Sequence, residues 1–367
     1  MKFLLVSPFT NASGSSIRFW NIALELKKQG HSVVLVERKA GKNKKPIFFS
    51  SEIKYYASPS TGNLIGDILV SLIFNFAILL RHIDCTVFYA LKPAPNNCIP
   101  ALFARLIHKR TLLDIDDLDY AYWKPSFKRS FSKLYFDFFA KRFPIVTYHT
   151  PNLKTYLHST LLIEEKKLYY LAQGVSDDFL KVNTTTAKEK KSIIYVATLG
   201  ITSDFEALIP MLARICSIHT DTAISIVGDG VRRCEFEQKV RKLGIAKNVT
   251  FTGAIDHKKL PNFISKHQIG INYMHKSEAN DCRAILKIRE YLACGLQIVC
   301  NTTGDTELFK DFIHAEDNLE LMENKILSLL LYPTLSNTNG REAVENEYQW
   351  NVIIKKFIFY LKQNGYL

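Results

Sequence analysis

The stretch that most constrains this chain is residues 283–300, RAILKIREYLACGLQIVC. Apolar residues recur at helical spacing as far as Ala293, Gly295 follows, and 296–299 is a short apolar run. A helix stopped by a left-handed glycine and followed at once by a strand belongs to an α/β sheet built from strand–helix–strand units. Asn280 or Asp281 stands where it would cap the helix. Arg283, Lys287 and Glu290 then fall at i, i+4 and i+7 and share one face. Cations near a helix N-terminus, with a carboxylate one turn later, suit a nucleotide diphosphate. The helix end and Lys287 would hold phosphate oxygens, and Glu290 would accept from ribose hydroxyls. The same triplet also reads as a solvated ion-pair face.

The N-terminal segment has a related grammar. MKFLLVSP is one short strand, with an apolar run too brief for a signal peptide. A small-residue loop, NASGSS, an amphipathic helix over 17–29 stopped at Gly30, and a strand over 31–37 come next. That order opens a doubly wound α/β domain. Ser13 and Gly14 would present backbone N–H groups at the helix start. The loop lacks the Gly-x-Gly-x-x-Gly spacing, which disfavours a dinucleotide site.

At 367 residues the chain has room for about two domains, and 47% hydrophobic content supplies two cores. The polar run 183–191 reads as a linker. The expected division is a Rossmann-like N-terminal domain over 1–185 and a second over 192–344. A C-terminal segment, 345–367, carries Trp350, Ile353, Ile354, Phe357 and Tyr360 near one helical face. Seven cysteines without a Cys-x-x-Cys pair read as free buried thiols of a reducing compartment, which agrees with a cytoplasmic location. The ten histidines form no His-x-x-x-His pair beside a carboxylate, so no metal site is expected.

Two features of the first domain bear on function. Residues 111–119, TLLDIDDLD, are a strand whose carboxylates Asp114, Asp116 and Asp117 gather at its C-terminal end, where open α/β sheets place their sites. They read as caps and solvated acids or as crowded groups, one serving as base toward an acceptor hydroxyl; Mg²⁺ binding is a third reading. His149, at the end of a later strand, reads as structural or as an acceptor contact. Residues 64–80 form the most apolar run. Asp67 and Asn75 interrupt it, and it stops at Arg81, short of the ~20 residues a membrane span requires. A buried helix is the expectation there, with a membrane-dipping helix as the competitor.

The net charge of +13 is clustered, chiefly over 39–45, 124–129, 141–142 and 166–167. Between 120 and 143 the cations alternate with Tyr120, Trp123, Phe127, Phe131, Tyr135 and Phe138. Such a segment suits anionic lipid headgroups, so a peripheral contact with the inner face of a membrane is expected. An ordinary basic helix with an aromatic core face is the competing reading. No nucleic-acid motif accompanies the charge.

Several short motifs, in order, resemble one family. Lys287-x-x-Glu290-Tyr291-Leu-Ala-x-Gly295 is similar to the donor-binding segment of GT-B glycosyltransferases, especially the family-four group and its divergent, membrane-associated relatives. Upstream, Gln173-Gly-Val-Ser-Asp resembles the turn closing their first domain, Ile224-Ser-Ile-Val-Gly228-Asp-Gly230 their Gly-Asp-Gly turn, and Asn248-Val-Thr-Phe-Thr-Gly253 the strand beside the base. Downstream, Thr303-Gly304-Asp-Thr-Glu307 resembles their Gly-Gly-x-x-Glu end.

The resemblance implies two Rossmann-like doubly wound domains facing a cleft, with a last helix crossing back to the first. It implies a nucleotide-diphosphate sugar as donor, no cofactor, and a glycan or lipid-linked hydroxyl acceptor in cell-surface polysaccharide or glycolipid assembly. Donor contacts carry over to Ser13, Gly14, Gly228, Gly253, Arg283, Lys287, Glu290, Tyr291, Thr303 and Gly304, and the chemistry to Lys287 with Asp114, Asp116 and Asp117. The chain departs from the pattern at Thr198 and at Thr202 or Ser203, where many members carry diphosphate-clamping cations, and at Cys282, where the first glutamate usually stands. Those departures leave open the stereochemical outcome, and with it a nucleotide-sugar epimerase of the same fold and a catalytically silent scaffold subunit.

Overall fold

The computed structural model describes residues 1–10, 14–39, 50–184, 188–201, 203–332 and 336–367. Two compact units emerge. The first comprises Met1–Gln173, Cys282–Ala284 and Trp350–Leu367; the second comprises Gly174–Asp281 and Ile285–Gln349. The first unit thus ends before the polar run 183–191.

The first unit is built on a seven-stranded parallel sheet, with β1 Lys2–Thr10, β2 Ser32–Arg38, β3 Lys54–Ser58, β4 Val87–Leu91, β5 Arg110–Ile115, β6 Ile145–Tyr148 and β7 Leu168–Tyr170. Their order is β3-β2-β1-β4-β5-β6-β7, so the winding reverses between β1 and β4. Central strands are apolar on both faces, as a doubly covered parallel sheet requires: Phe3, Leu4, Leu5 and Val6 are buried throughout, as is all of β4. The helices are α1 Gly14–Lys28, α2 Leu64–Arg81, α3 Pro95–Leu106 and α4 Phe127–Ala140. The last three share one core with β1, β2, β4, β5 and β6.

Helix α2 departs from the expectation of a buried helix. Its capping is regular, with Gly66 N–H donating to Asn63 Oδ1 at 2.7 Å. Its polar residues, however, face inward while Ile65, Leu69, Ile73 and Leu80 stay exposed. Among the described residues no helix is long and apolar enough to cross a membrane.

The second unit has a six-stranded parallel sheet: β8 Ser192–Val196, β9 Ala223–Val227, β10 Val249–Gly253, β11 Ile269–Asn272, β12 Gln297–Asn301 and β13 His314–Glu316. The order β10-β9-β8-β11-β12-β13 repeats the same winding, with its reversal between β8 and β11. The longer helices are α5 Phe205–Ile218, α6 Arg233–Lys242, α7 Leu286–Ala293, α8 Leu319–Leu331 and α9 Thr338–Glu347. A final helix, α10 Trp350–Gln363, belongs to the first unit; it buries Trp350, Ile354, Phe357 and Leu361, and Tyr360 lies 4.2 Å from the Tyr169 ring. All seven cysteines are free, and all but Cys234 are buried.

Candidate functional site

In the second unit the candidate residues gather on α7 and the turns around it. Helix α7 starts at Leu286, three residues later than the sequence suggests, because its cap arrives from another loop. Asp305, after β12, accepts from the Ile285 N–H at 2.9 Å and from Arg289 at 2.5 Å, with both side chains fully buried. Neither Asn280 nor Asp281 caps this helix; they close a separate turn, Glu278–Asp281. The shared face proposed for Arg283, Lys287 and Glu290 therefore loses Arg283, which precedes the helix in the irregular segment Cys282–Ala284 of the first unit. Gly295 behaves as expected, with φ +69°, and a Cβ there would lie 2.2 Å from Ser336 Oγ.

Lys287 and Glu290 remain one turn apart on α7. The Lys287 ammonium lies 4.9 Å from the centre of the Tyr195 ring. Burial pushes the Glu290 carboxyl up to about 7, with Lys287 opposing. Tyr291, expected at the donor, is instead a core residue: its phenol accepts from the Val196 N–H at 2.9 Å, and its ring fills the space over Gly270. The glycine turns also serve packing. At Gly228, φ is +128° and a Cβ would come within 1.8 Å of Ala197 O; its N–H donates to Gly253 O at 2.9 Å. Thr303 is buried and Gly304 is left-handed at φ +59°, in the turn that carries Asp305. Thr198 is exposed.

In the first unit the acidic run divides into two environments. Asp114 is fully buried and holds Arg18 through two bonds, 2.9 and 3.1 Å, while Thr147 donates at 2.5 Å. Arg18 also donates to the carbonyls of Leu171 and Ala172. This balanced pair ties α1 to β5 and the end of the unit, so Asp114 is a scaffold carboxylate rather than a base, because every oxygen is already engaged away from solvent.

The second environment surrounds Lys92, a residue the sequence reading missed. Its ammonium is buried and lies 3.0, 3.6 and 2.7 Å from Asp116, Asp117 and Asp119. Its backbone sits in the left-handed region, φ +59°, held by its N–H donating to Asp114 O at 2.7 Å. Burial works against the ammonium, but the three carboxylates raise its pKa well above the ordinary value, so it stays charged. Burial pushes Asp116 up, yet Lys92 and His149 more than offset it, and its pKa falls below the usual value. For Asp117, burial dominates; Asp116 and Asp119 add to it against Lys92 and Arg283, and the carboxyl reaches about 7. Arg283 joins this group, its guanidinium 5.9 Å from the Tyr122 ring. A cavity of about 160 Å³ adjoins the cluster; Arg38, Ile68, Lys92, Asp119, Lys128 and Tyr135 are among its lining. It collects the carboxyl ends of β1, β2, β4 and β5, where ligands bind in open α/β sheets.

Two parallel sheets, each with one winding reversal, are an arrangement shared with known proteins. Residues 190–331 match the family model for glycosyl transferases group 1. The chain is similar to the solved structure of sucrose-phosphate synthase from Thermosynechococcus elongatus, with TM-score 0.76, 16% identity, and coverage of 100% of this chain and 99% of that one. It is equally similar to HepE from Anabaena in complex with UDP, at TM-score 0.76 and 13% identity, covering 99% and 100%. The chain has the GT-B glycosyltransferase fold. A curated relative, the GPI3 subunit of phosphatidylinositol N-acetylglucosaminyltransferase from Saccharomyces cerevisiae, is 23% identical over 197 residues. That match covers 50% of this chain and 42% of the relative, less than half its length.

Within this GT-B chain, Lys287, Glu290, Gly228, Gly253, Thr303 and Gly304 lie in the group 1 segment. Gly14 opens α1, and Ser13 lies outside the described residues, as does Thr202. Two cations escaped the sequence reading although each left a trace. Lys92 directly follows the apolar strand 87–91, and Arg18 interrupts the apolar face of α1 beside Phe19, Trp20 and Ile22.

Proposed function

We propose that the chain transfers a sugar from a nucleotide-diphosphate sugar to a hydroxyl of a lipid-linked acceptor. The observation that carries this reading is the Lys287–Glu290 pair on α7, inside the segment that matches group 1 glycosyl transferases. Glu290, ionised, accepts from the ribose hydroxyls, and Lys287 neutralises the diphosphate as it departs. The transition state has oxocarbenium character, so the charge that grows on the leaving group is what Lys287 stabilises. Asp117, raised to about 7 and 20% exposed, takes the proton of the acceptor hydroxyl as the new bond forms. Lys92 positions that carboxylate and keeps the crowded cluster from protonating outright. The bound UDP of HepE and the lipid substrate in the GPI3 relative's name support the donor and acceptor classes.

The test is a thermal-shift panel of nucleotide sugars, followed by transfer to a lipid-linked acceptor with the responding donor. A ligand at a hundredfold its Kd adds ~2.7 kcal/mol of stability. Lys287→Ala should lower turnover ~10²–10³-fold with a smaller effect on donor binding, and Lys287→Arg should restore only part, since a fork replaces a point charge. A Lys287→Ala protein at full speed would remove this residue from the chemistry. The exposed Thr198, where many relatives carry a cation, favours a second reading, a non-catalytic subunit. Donor binding without turnover on any acceptor would support it, and free-sugar product without an acceptor would indicate an epimerase.

A further inference from the structure

Helix α2 is inside out. Asp67, Ser71, Asn75 and His82 lie on its protein side, each at most 7% exposed. Each is satisfied there: Thr61 N–H donates to Asp67 at 2.6 Å, Asn96 donates to Ser71 Oγ at 2.9 Å, Asn75 donates to Asn96 O at 2.7 Å, and His82 meets the Tyr56 hydroxyl at 3.1 Å. The opposite stripe, Ile65, Leu69, Ile73 and Leu80, is 72, 55, 70 and 60% exposed. A helix facing water has the reverse arrangement.

The stripe continues across neighbouring helices. Phe76 of α2 meets Phe103 of α3 at 5.6 Å, and Phe103 and Leu106 are themselves exposed. Arg105 of α3 donates to Arg142 O just past α4 at 2.9 Å. On α4, Phe127, Phe131, Leu134 and Phe138 fall at i, i+4, i+7 and i+11 and are 45–87% exposed. Scattered exposed apolar residues require no explanation, but a continuous face across three helices does. Its rim is cationic: Arg81, Arg105, Lys124, Lys141 and Arg142 are exposed, Lys128 sits 3.1 Å over the Trp123 ring, and Arg142 sits 3.4 Å over Phe138. The carboxylate on α4, Asp137, is already held by Lys133 at 2.6 Å.

We propose that α2, α3 and α4 form a docking face for a bilayer rich in anionic lipid. The apolar stripe enters the headgroup–acyl boundary, and the rim cations meet headgroup phosphates. The charge complementarity selects this occupant: a protein partner would cover the apolar stripe without calling for a rim of exposed cations around aromatic rings, whereas a lipid interface uses both. Docking does not rest on the proposed reaction. If that reaction holds, the cavity walled by Ile68 of α2 and by Lys128 and Tyr135 of α4 lets an amphiphilic acceptor enter from the bilayer surface.

The test is flotation of the full chain with phosphatidylcholine vesicles, with and without phosphatidylglycerol. The chain should float with the anionic vesicles at low salt and weaken steeply as salt rises. Leu69→Gln, Ile73→Gln and Leu134→Gln together should weaken binding at every salt concentration, roughly tenfold per side chain. Lys124→Gln, Lys141→Gln and Arg142→Gln together should weaken it on the order of a hundredfold at low salt and little at high salt. Circular-dichroism melting keeps folding separate from binding, and nucleotide thermal shifts on the same samples keep the donor site separate. A folded chain that ignores anionic vesicles at low salt overturns the proposal, whatever its nucleotide binding. So does a concentration-dependent dimer that Leu69→Gln dissociates, since a second copy would then own the face.

Discussion

The first unit surrounds one buried lysine with three carboxylates, whereas the second pairs one buried arginine with one carboxylate. Around Lys92 three acids crowd one ammonium, and burial with Asp116 and Asp119 raises Asp117 to about 7 against Lys92 and the nearby Arg283. Around Arg289 the account closes: Asp305 accepts from the guanidinium and from the α7 start, and Phe309 and Tyr348 cover it at 4.7 and 4.9 Å. Arg18 with Asp114 is a second balanced pair. A balanced buried pair is architecture, because neither member can change state without a large loss. An unbalanced cluster is titratable near neutral pH, which is what proton transfer at a hydroxyl requires.

Three substitutions break or sharpen that contrast. Arg289→Leu should cost ~3–5 kcal/mol of stability, read as a lower denaturant midpoint, because it strands Asp305 in the core. A variant as stable as the parent would put the balanced-pair reading aside. Asp117→Asn should lower kcat ~10²–10⁴-fold in a protein that melts normally. In the parent, activity should rise with pH through about 7 as Asp117 loses its proton, and Lys92→Gln should move that rise to higher pH by removing the cation that favours the anion. An unmoved profile would detach Lys92 from the base.

Glu290→Gln should weaken donor binding by ~2–3 kcal/mol and flatten the rise of donor affinity with pH through about 7. Its effect on stability has the opposite sign. The folded protein holds the Glu290 proton more tightly than the unfolded chain. That contribution is therefore complete below about 4.5 and is lost as pH rises through about 7, by as much as about 3 kcal/mol. The variant, lacking the group, should lose less stability than the parent between acid and pH above 7. Identical pH dependence in parent and variant would mean that Glu290 is not buried as an isolated acid.

Much of the fold was legible because parallel-sheet units write themselves locally. The apolar runs of β1 and β4, the glycine stop at Gly295 and the apolar face of α10 are each readable within about a dozen residues. The site was legible in part. Lys287 and Glu290 are one turn apart on a helix, which periodicity shows, but Arg283 was misplaced because the α7 cap comes from Asp305, twenty residues downstream. Tyr291 looked like a donor contact because it shares a motif with Lys287 and Glu290, yet its phenol is spent on Val196. Asp114, Asp116 and Asp117 looked equivalent in sequence, and only Arg18 and Lys92, from other elements, separate a scaffold acid from a titratable one.

By itself, then, the sequence determined the two parallel α/β sheets, the helix bearing Lys287 and Glu290, and the acidic strand end. These follow from spacing and chain geometry over short distances. The tertiary structure alone decided which carboxylates are paired, that Lys92 is the buried cation among them, and that α2 turns its polar side inward. Burial and charge balance are set by partners distant in the chain: Asn96 for Ser71 and Asn75, Asp114 for Arg18, and Asp305 for Arg289. The cost of a buried charge depends on what surrounds it in space, and no local pattern carries that information.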